Sequence, residues 1–145
     1  LQGQYFFGDS VFGVSGSLTK VYGDVNVDVL SDPNTDVFAL IGLSDSYNIT
    51  GIYDAGGLSA RVAYNWRGKF LGGVNRGGAR NPVFFDDFGT LDASVNWDFN
   101  ESLAFSLEAV NILSEPIRSF GRDEKQLFFA QELKPRLFAG VRYRF

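Results

Sequence analysis

From Leu91 to Phe99 the chain sets apolar Leu91, Ala93, Val95, Trp97 and Phe99 between polar Asp92, Ser94, Asn96 and Asp98. A period of two sends successive side chains to opposite faces of an extended strand, so this stretch predicts a ribbon with one apolar and one hydrophilic side. The chain's last residues do the same: Leu137, Ala139, Val141, Tyr143 and Phe145 alternate with Phe138, Gly140, Arg142 and Arg144. Ala60, Val62, Tyr64 and Trp66 interleave with Ser59, Arg61, Ala63, Asn65 and Arg67. Leu103, Phe105, Leu107 and Ala109 interleave with Ala104, Ser106 and Glu108 until Val110 and Ile112 break the alternation around Asn111, where a β-bulge is expected. Weaker alternation marks Phe12 to Thr19 and Tyr47 to Tyr53. With Gln2 to Phe7 as the remnant of a first strand, the pattern predicts about seven strands.

The predicted strands are joined by alternately short and long connections. Short turns fall at Gly8 to Val11, Asp54 to Gly57 and Asn100 to Ser102; long segments fall at Asp24 to Asp45, Lys69 to Gly89 and Ser114 to Lys125. Up-and-down outer-membrane barrels are built this way, with tight periplasmic turns and larger extracellular loops. The clearer runs also approach the roughly 9 to 11 tilted residues that cross a hydrocarbon core. The expectation is therefore an all-β fold, an antiparallel up-and-down transmembrane β-barrel with acyl chains against the apolar side of each strand and water against the other. Single-chain bacterial barrels use even strand numbers. An odd count, and a start at Leu1 with no methionine anywhere and no secretory signal, predict a segment of something larger.

Composition narrows the chemistry. Aromatic residues make up 16% of the chain and there are 17 glycines, which suits a β protein with rings at membrane interfaces. No apolar run is long enough for a membrane helix, so spanning would be by strands. A formal charge of −4 provides no basic stripe of the kind nucleic acid requires. Histidine and cysteine are both absent, so no Ser-His-Asp triad, Cys-His nucleophile, disulfide, or His- or Cys-ligated metal site can be assembled within the chain. A carboxylate pair acting on glycosides is chemically possible, but no two carboxylates are placed across an identifiable cleft. The glycine-rich stretch Gly72 to Gly78 lacks the lysine and hydroxyl residue that close a phosphate-binding loop. No catalytic residue, metal or cofactor is expected, and the chain does not read as an enzyme.

Three stretches carry a resemblance: GLSDSYNITGIYDAGGLSARVAYNWRGKFL (Gly42 to Leu71), FGTLDASVNWDFNESLAFSLEAVNILSEPI (Phe88 to Ile117) and PRLFAGVRYRF (Pro135 to Phe145). In order and wording they resemble the C-terminal β-barrel of TonB-dependent outer-membrane receptors and transporters. The resemblance covers nearly the whole chain, Leu1 to Phe145, and implies about seven C-terminal strands of a barrel of about 22 strands, with the plug domain absent. It also implies a bacterial outer-membrane location, and wall and extracellular loops for uptake of a small-molecule nutrient. The implied partners are outer-membrane lipid, the barrel-assembly machinery and, through a missing N-terminal part, TonB. The stretch Leu43 to Ser46 resembles a branch of the family common in aquatic and plant-associated proteobacteria, several of whose members take up oligosaccharides; siderophores and other nutrients are the other cargo the family carries. One departure is visible: the family often has a glycine-arginine pair just before its last strand, whereas here Gly121 and Arg122 lie further upstream and Lys134, Pro135 and Arg136 take that place.

Val141, Tyr143 and Phe145 resemble the terminal signal that barrel assembly reads; the plain alternative is a strand that happens to end in phenylalanine. Trp66, Trp97, Tyr53, Tyr64 and Tyr143 are candidates for aromatic girdles. Phe84, Phe85, Asp86 and Asp87 could offer rings to a sugar face and carboxylates to its hydroxyls, or else pack the rings beneath the loop and leave the acids in water. Asp28, Asp32, Asp36 and Asp45 lack the spacing of a calcium loop. Arg61, Arg67, Arg142 and Arg144, with Asp92, Asp98 and Glu108, are expected on the water-facing side, paired across strands or with a plug. Two other architectures fit the pattern. A small eight-stranded structural or adhesive barrel needs an eighth strand within Gln126 to Leu133 and a closed sheet. A soluble β-sheet binding module needs Val95 and Trp97 packed inward.

Overall fold

A computed structural model describes residues 1–8, 11–22, 41–74 and 81–145, and all their regular structure is β. Seven strands follow the alternation. They are β1 (Gln2–Phe6), β2 (Phe12–Thr19), β3 (Ser46–Ala55), β4 (Leu58–Arg67), β7 (Phe88–Asp98), β8 (Leu103–Val110) and β11 (Arg136–Tyr143). They form one antiparallel sheet in the order β1-β2-β3-β4-β7-β8-β11, each strand beside its predecessor in the series. Among the described residues this sheet is open, with β1 and β11 as its edges.

The registers keep charged residues off one face over the whole sheet. Directly opposed residues of antiparallel strands share a face. Val141 lies opposite Phe105, Phe105 opposite Trp97, and Trp97 opposite Leu58. The next apolar row runs Ala139, Leu107, Val95, Ala60, Tyr53, Phe12. The one after it runs Leu137, Ala109, Ala93, Val62, Gly51, Val14, Tyr5. No charged side chain enters these rows. The alternate rows hold the polar and charged residues, with Phe6, Ile52 and Phe138 among them; in one, Asn48, Asn65 and Thr90 lie side by side, with the Asn48 amide donating to Asn65 and the Asn65 amide to Thr90 at 3.5 Å. A one-residue slip in any ladder would mix the faces, so the pattern fixes the register.

Tight turns close one end of the sheet. Gly56 and Gly57 form a two-residue hairpin loop between the Ala55–Leu58 pair, both with positive φ (58° and 79°), as a type I′ turn requires. At the next turn the Asn100 carboxamide oxygen accepts from the backbone N–H groups of Ser102 and Leu103, both at 2.9 Å. A Cβ at Gly57 would lie 2.9 Å from the Asp98 carbonyl oxygen, whereas one at Gly56 meets nothing within 4 Å. Gly57→Ala is therefore expected to lower stability by roughly 1–2 kcal/mol, and Gly56→Asn by much less, since asparagine tolerates this conformation. Denaturant midpoints of the two variants check the contrast.

The long connections leave from the opposite end, and two of them carry strands that alternation did not predict. The β4-to-β7 connection holds β5 (Phe70–Gly73) and β6 (Val83–Phe85), and the β8-to-β11 connection holds β9 (Ile117–Phe120) and β10 (Leu127–Gln131). These build a second antiparallel sheet in the order β10-β9-β6-β5. The expectation of plain loops at Lys69 to Gly89 and Ser114 to Lys125 is thus corrected: strands of three to five residues are too short to show a period. A strand does exist within Gln126 to Leu133, but it joins this second sheet and does not close the first.

The bulge expected near Asn111 is also corrected. Strand β8 stays in register with β11 to Val110 and then stops, because Asn111 takes a left-handed backbone (φ 56°). Asparagine is the residue type other than glycine that enters this region most readily. The buried Asn111 donates its side-chain N–H to the Leu133 carbonyl at 2.6 Å, and its backbone N–H to Asp92 Oδ1 at 2.8 Å. One asparagine thus ends β8 and ties the lead-in of β11 to β7.

Candidate functional site

Among the described residues nothing covers the apolar face of the seven-stranded sheet. Val95 is 38% exposed, Trp97 46%, Tyr143 64% and Val141 69%, although each is flanked by apolar neighbours on its own face. Rings gather towards the two ends of this face. Trp66 stacks on Tyr47 (5.2 Å) beside Tyr64 at the long-connection end, and Trp97 contacts Phe99 and Phe105 (5.3 and 6.1 Å) at the turn end. The Trp66 indole N–H reaches Asp87 Oδ2 at 3.3 Å, so a ring in the apolar face keeps its polar tip on a carboxylate.

The opposite face carries the charges, and Arg67, Asp92, Asp98 and Arg142 find partners inside the sheet or at its rim. Arg142 Nη2 lies 3.2 Å from Asp98 Oδ1; the two sit on either side of Ala104, whose small side chain lets the pair reach across strand β8. Asp98 and Arg142, with Glu101, Ser102 and Arg144, line a groove of about 370 Å³ at the turn end. Arg67 donates from Nε to Ser44 Oγ (3.1 Å) and from Nη2 to the Gly42 carbonyl (2.6 Å), with its guanidinium 3.8 Å from the centre of the Phe70 ring. Asp92 caps the Asn111 backbone N–H. Arg61 and Glu108 share one row of this face, separated by Ser94.

The four loop residues singled out in the sequence come together at β6, and the fold engages them internally. The Phe84 ring stacks on Phe120 (5.8 Å) and the Phe85 ring on Phe70 (5.1 Å), all in the second sheet. Asp86 Oδ2 sits 3.9 Å from Arg118 Nη1, and its Oδ1 accepts from the Asp87 backbone N–H at 3.2 Å. Of the four, Asp87 is exposed and the other three are half-buried. Lys69 sits 4.5 Å from the Phe120 ring centre and pairs with Glu124 Oε1 at 2.8 Å. Phe70, Phe120, Lys69, Arg118 and Glu124 were missed in the sequence; the signal available was the paired phenylalanines, which in a polar loop need ring partners.

Val141 and Tyr143 lie on the apolar face of the edge strand β11, and Phe145 follows it, fully exposed, with its ring 6.2 Å from that of Tyr143. Asp28, Asp32 and Asp36 lie outside the described residues, as do residues 75–78 of the glycine-rich stretch. Asp45 forms an ion pair with Lys20, and its Oδ1 accepts the Val21 backbone N–H at 2.9 Å. The hydrogen bond from Lys20 lowers the Asp45 carboxyl below its ordinary value, and the same bond raises the Lys20 ammonium. Among the described residues no group of three or more acidic, histidine or cysteine side chains is placed to hold a metal ion. No protein-family profile, curated protein or solved structure matches the chain.

Proposed function

We propose that the chain is barrel wall and extracellular loop of an outer-membrane active transporter of the TonB-dependent kind, serving uptake of a small-molecule nutrient such as an oligosaccharide. The observation that carries this reading is the uncovered apolar face, continuous over seven registered strands and free of charge. An apolar surface of that extent left to water invites association, whereas lipid on that side removes the cost. Its height suits a bilayer. Along β4 the row of Trp66 and the row of Leu58 and Trp97 are eight residues apart, roughly 27 Å along the strand. At the 35–45° tilt of membrane barrels this becomes roughly 20 Å, close to the ~25 Å apolar band between aromatic girdles.

In this reading the turns at Gly56–Gly57 and Asn100–Ser102 face the periplasm, and the second sheet stands above the membrane. The hydrophilic face, with Asp98, Arg142 and the asparagine row, borders the lumen. The open edges β1 and β11 then continue the wall into further strands, the arrangement that removes exposed edges in a barrel. The sequence resemblance to TonB-dependent receptors is what distinguishes a transporter from other barrels. The eight-stranded alternative loses its main support, because β10 pairs with β9 and not with β11.

Cell fractionation tests the location: the protein is expected in the outer-membrane fraction, released only by detergent. Its band is expected to migrate differently with and without boiling. A dilute, detergent-free monomer would overturn the reading. Growth of a deletion strain on oligosaccharides and on iron chelates then separates the cargo classes.

A further inference from the structure

We infer that the two hairpins of the second sheet, β5–β6 and β9–β10, form one cooperative unit, so that the two long connections act as a single fixed rim and not as two flaps. The seam between them is β6 with β9, where Phe84 lies opposite Phe120 and Phe85 opposite Ser119. Beyond the ladder, the Asp86 backbone N–H donates to the Arg118 carbonyl at 3.0 Å. Asp86 also faces Arg118, Lys69 pairs with Glu124, and Arg122 Nε lies 3.5 Å from Asn81 Oδ1. Each of these contacts joins one connection to the other.

The dry core of the described residues lies at this seam. Leu71 is 7% exposed and Phe120 4%, and Pro82 is fully buried. Leu71 and Pro82 belong to one connection and Phe120 to the other, so neither hairpin buries an apolar centre by itself. An isolated two-stranded hairpin is marginal in water, and here each hairpin completes the other's core. The ion pairs at the seam are partly exposed and contribute little, so shared burial and ring stacking hold it. A consequence is that Phe84 and Phe85 are structural rings of the rim, each with one face committed to a ring partner, Phe120 and Phe70 respectively.

Hydrogen exchange on the whole protein in detergent tests this without any ligand. In the unaltered protein under rising, sub-denaturing urea, the amides of β5, β6, β9 and β10 are expected to converge on one opening free energy. Phe120→Ala is then expected to raise exchange in β5 and β6 about tenfold or more, although residue 120 belongs to the other connection. Protection in β7, β8 and β11 is expected to stay unchanged. Distinct opening energies for the two hairpins, or loosening confined to β9 and β10 in the variant, would overturn the inference. If the variant does not fold, the urea dependence of the unaltered protein decides alone. Neither outcome depends on the transport reading.

Discussion

Val62→Arg is expected to lower the stability of the membrane-inserted protein by about 2–4 kcal/mol, while Ala63→Arg, one residue further on, changes it by under about 1 kcal/mol. Val62 is 50% exposed and lies midway along β4 between the row of Leu58 and the row of Trp66, opposite Ala93 and Gly51. If lipid covers the apolar face, as proposed above, an arginine there places its charge near the middle of the hydrocarbon, the depth at which charged substitutions in barrel walls cost most. Ala63 points to the other face, opposite Asp92 and Thr50, where an arginine meets water and a carboxylate. Two adjacent positions in one strand thus separate the possible environments. Water against Val62 would leave both variants near neutral, as exposed substitutions usually are. Urea unfolding in lipid vesicles, followed by the fluorescence of Trp66 and Trp97, measures the difference. A Val62→Arg protein as stable as the parent would remove lipid from the apolar face.

Where a strand is long and one side differs from the other, the sequence is legible. Trp97, Val95 and Ala93 could be assigned to one face from their spacing, and the observed ladders put Phe105, Leu107 and Ala109 directly opposite them. The number of strands in the large sheet followed for the same reason, as did the tight turns at Gly56–Gly57 and Asn100–Ser102. What the pattern could not reveal is pairing between segments distant in the chain. Phe84 meets Phe120 because two hairpins dock, and a strand of three residues has no period to read. The four candidate ligand residues were legible as a cluster but not as partners of Phe70, Phe120, Arg118 and Trp66. The slip at Asn111 was seen as a break in alternation; whether a strand bulges or ends depends on a backbone angle that alternation does not encode.

Asn111 also separates backbone from side-chain contributions at a joint that holds the edge strand. Its amide N–H is the buried donor to Leu133, but its Oδ1 is buried without a partner. The unsatisfied oxygen offsets part of what the hydrogen bond contributes. Asn111→Gly, which keeps the left-handed backbone at no steric cost, is therefore expected to lose only about 1 kcal/mol. Asn111→Val loses the same hydrogen bond and adds roughly 1–2 kcal/mol for an L-residue in this region, with further crowding from its branched Cβ, for a total of about 2–4 kcal/mol. Among the described residues β11 pairs within the large sheet with β8 alone, so its amides are expected to lose protection before those of β7 in the valine variant. Denaturant midpoints and hydrogen exchange in detergent measure both effects. Equal losses in the two variants would mean that the side-chain tie to Leu133, and not the left-handed turn, fixes where β8 ends and how β11 enters the sheet.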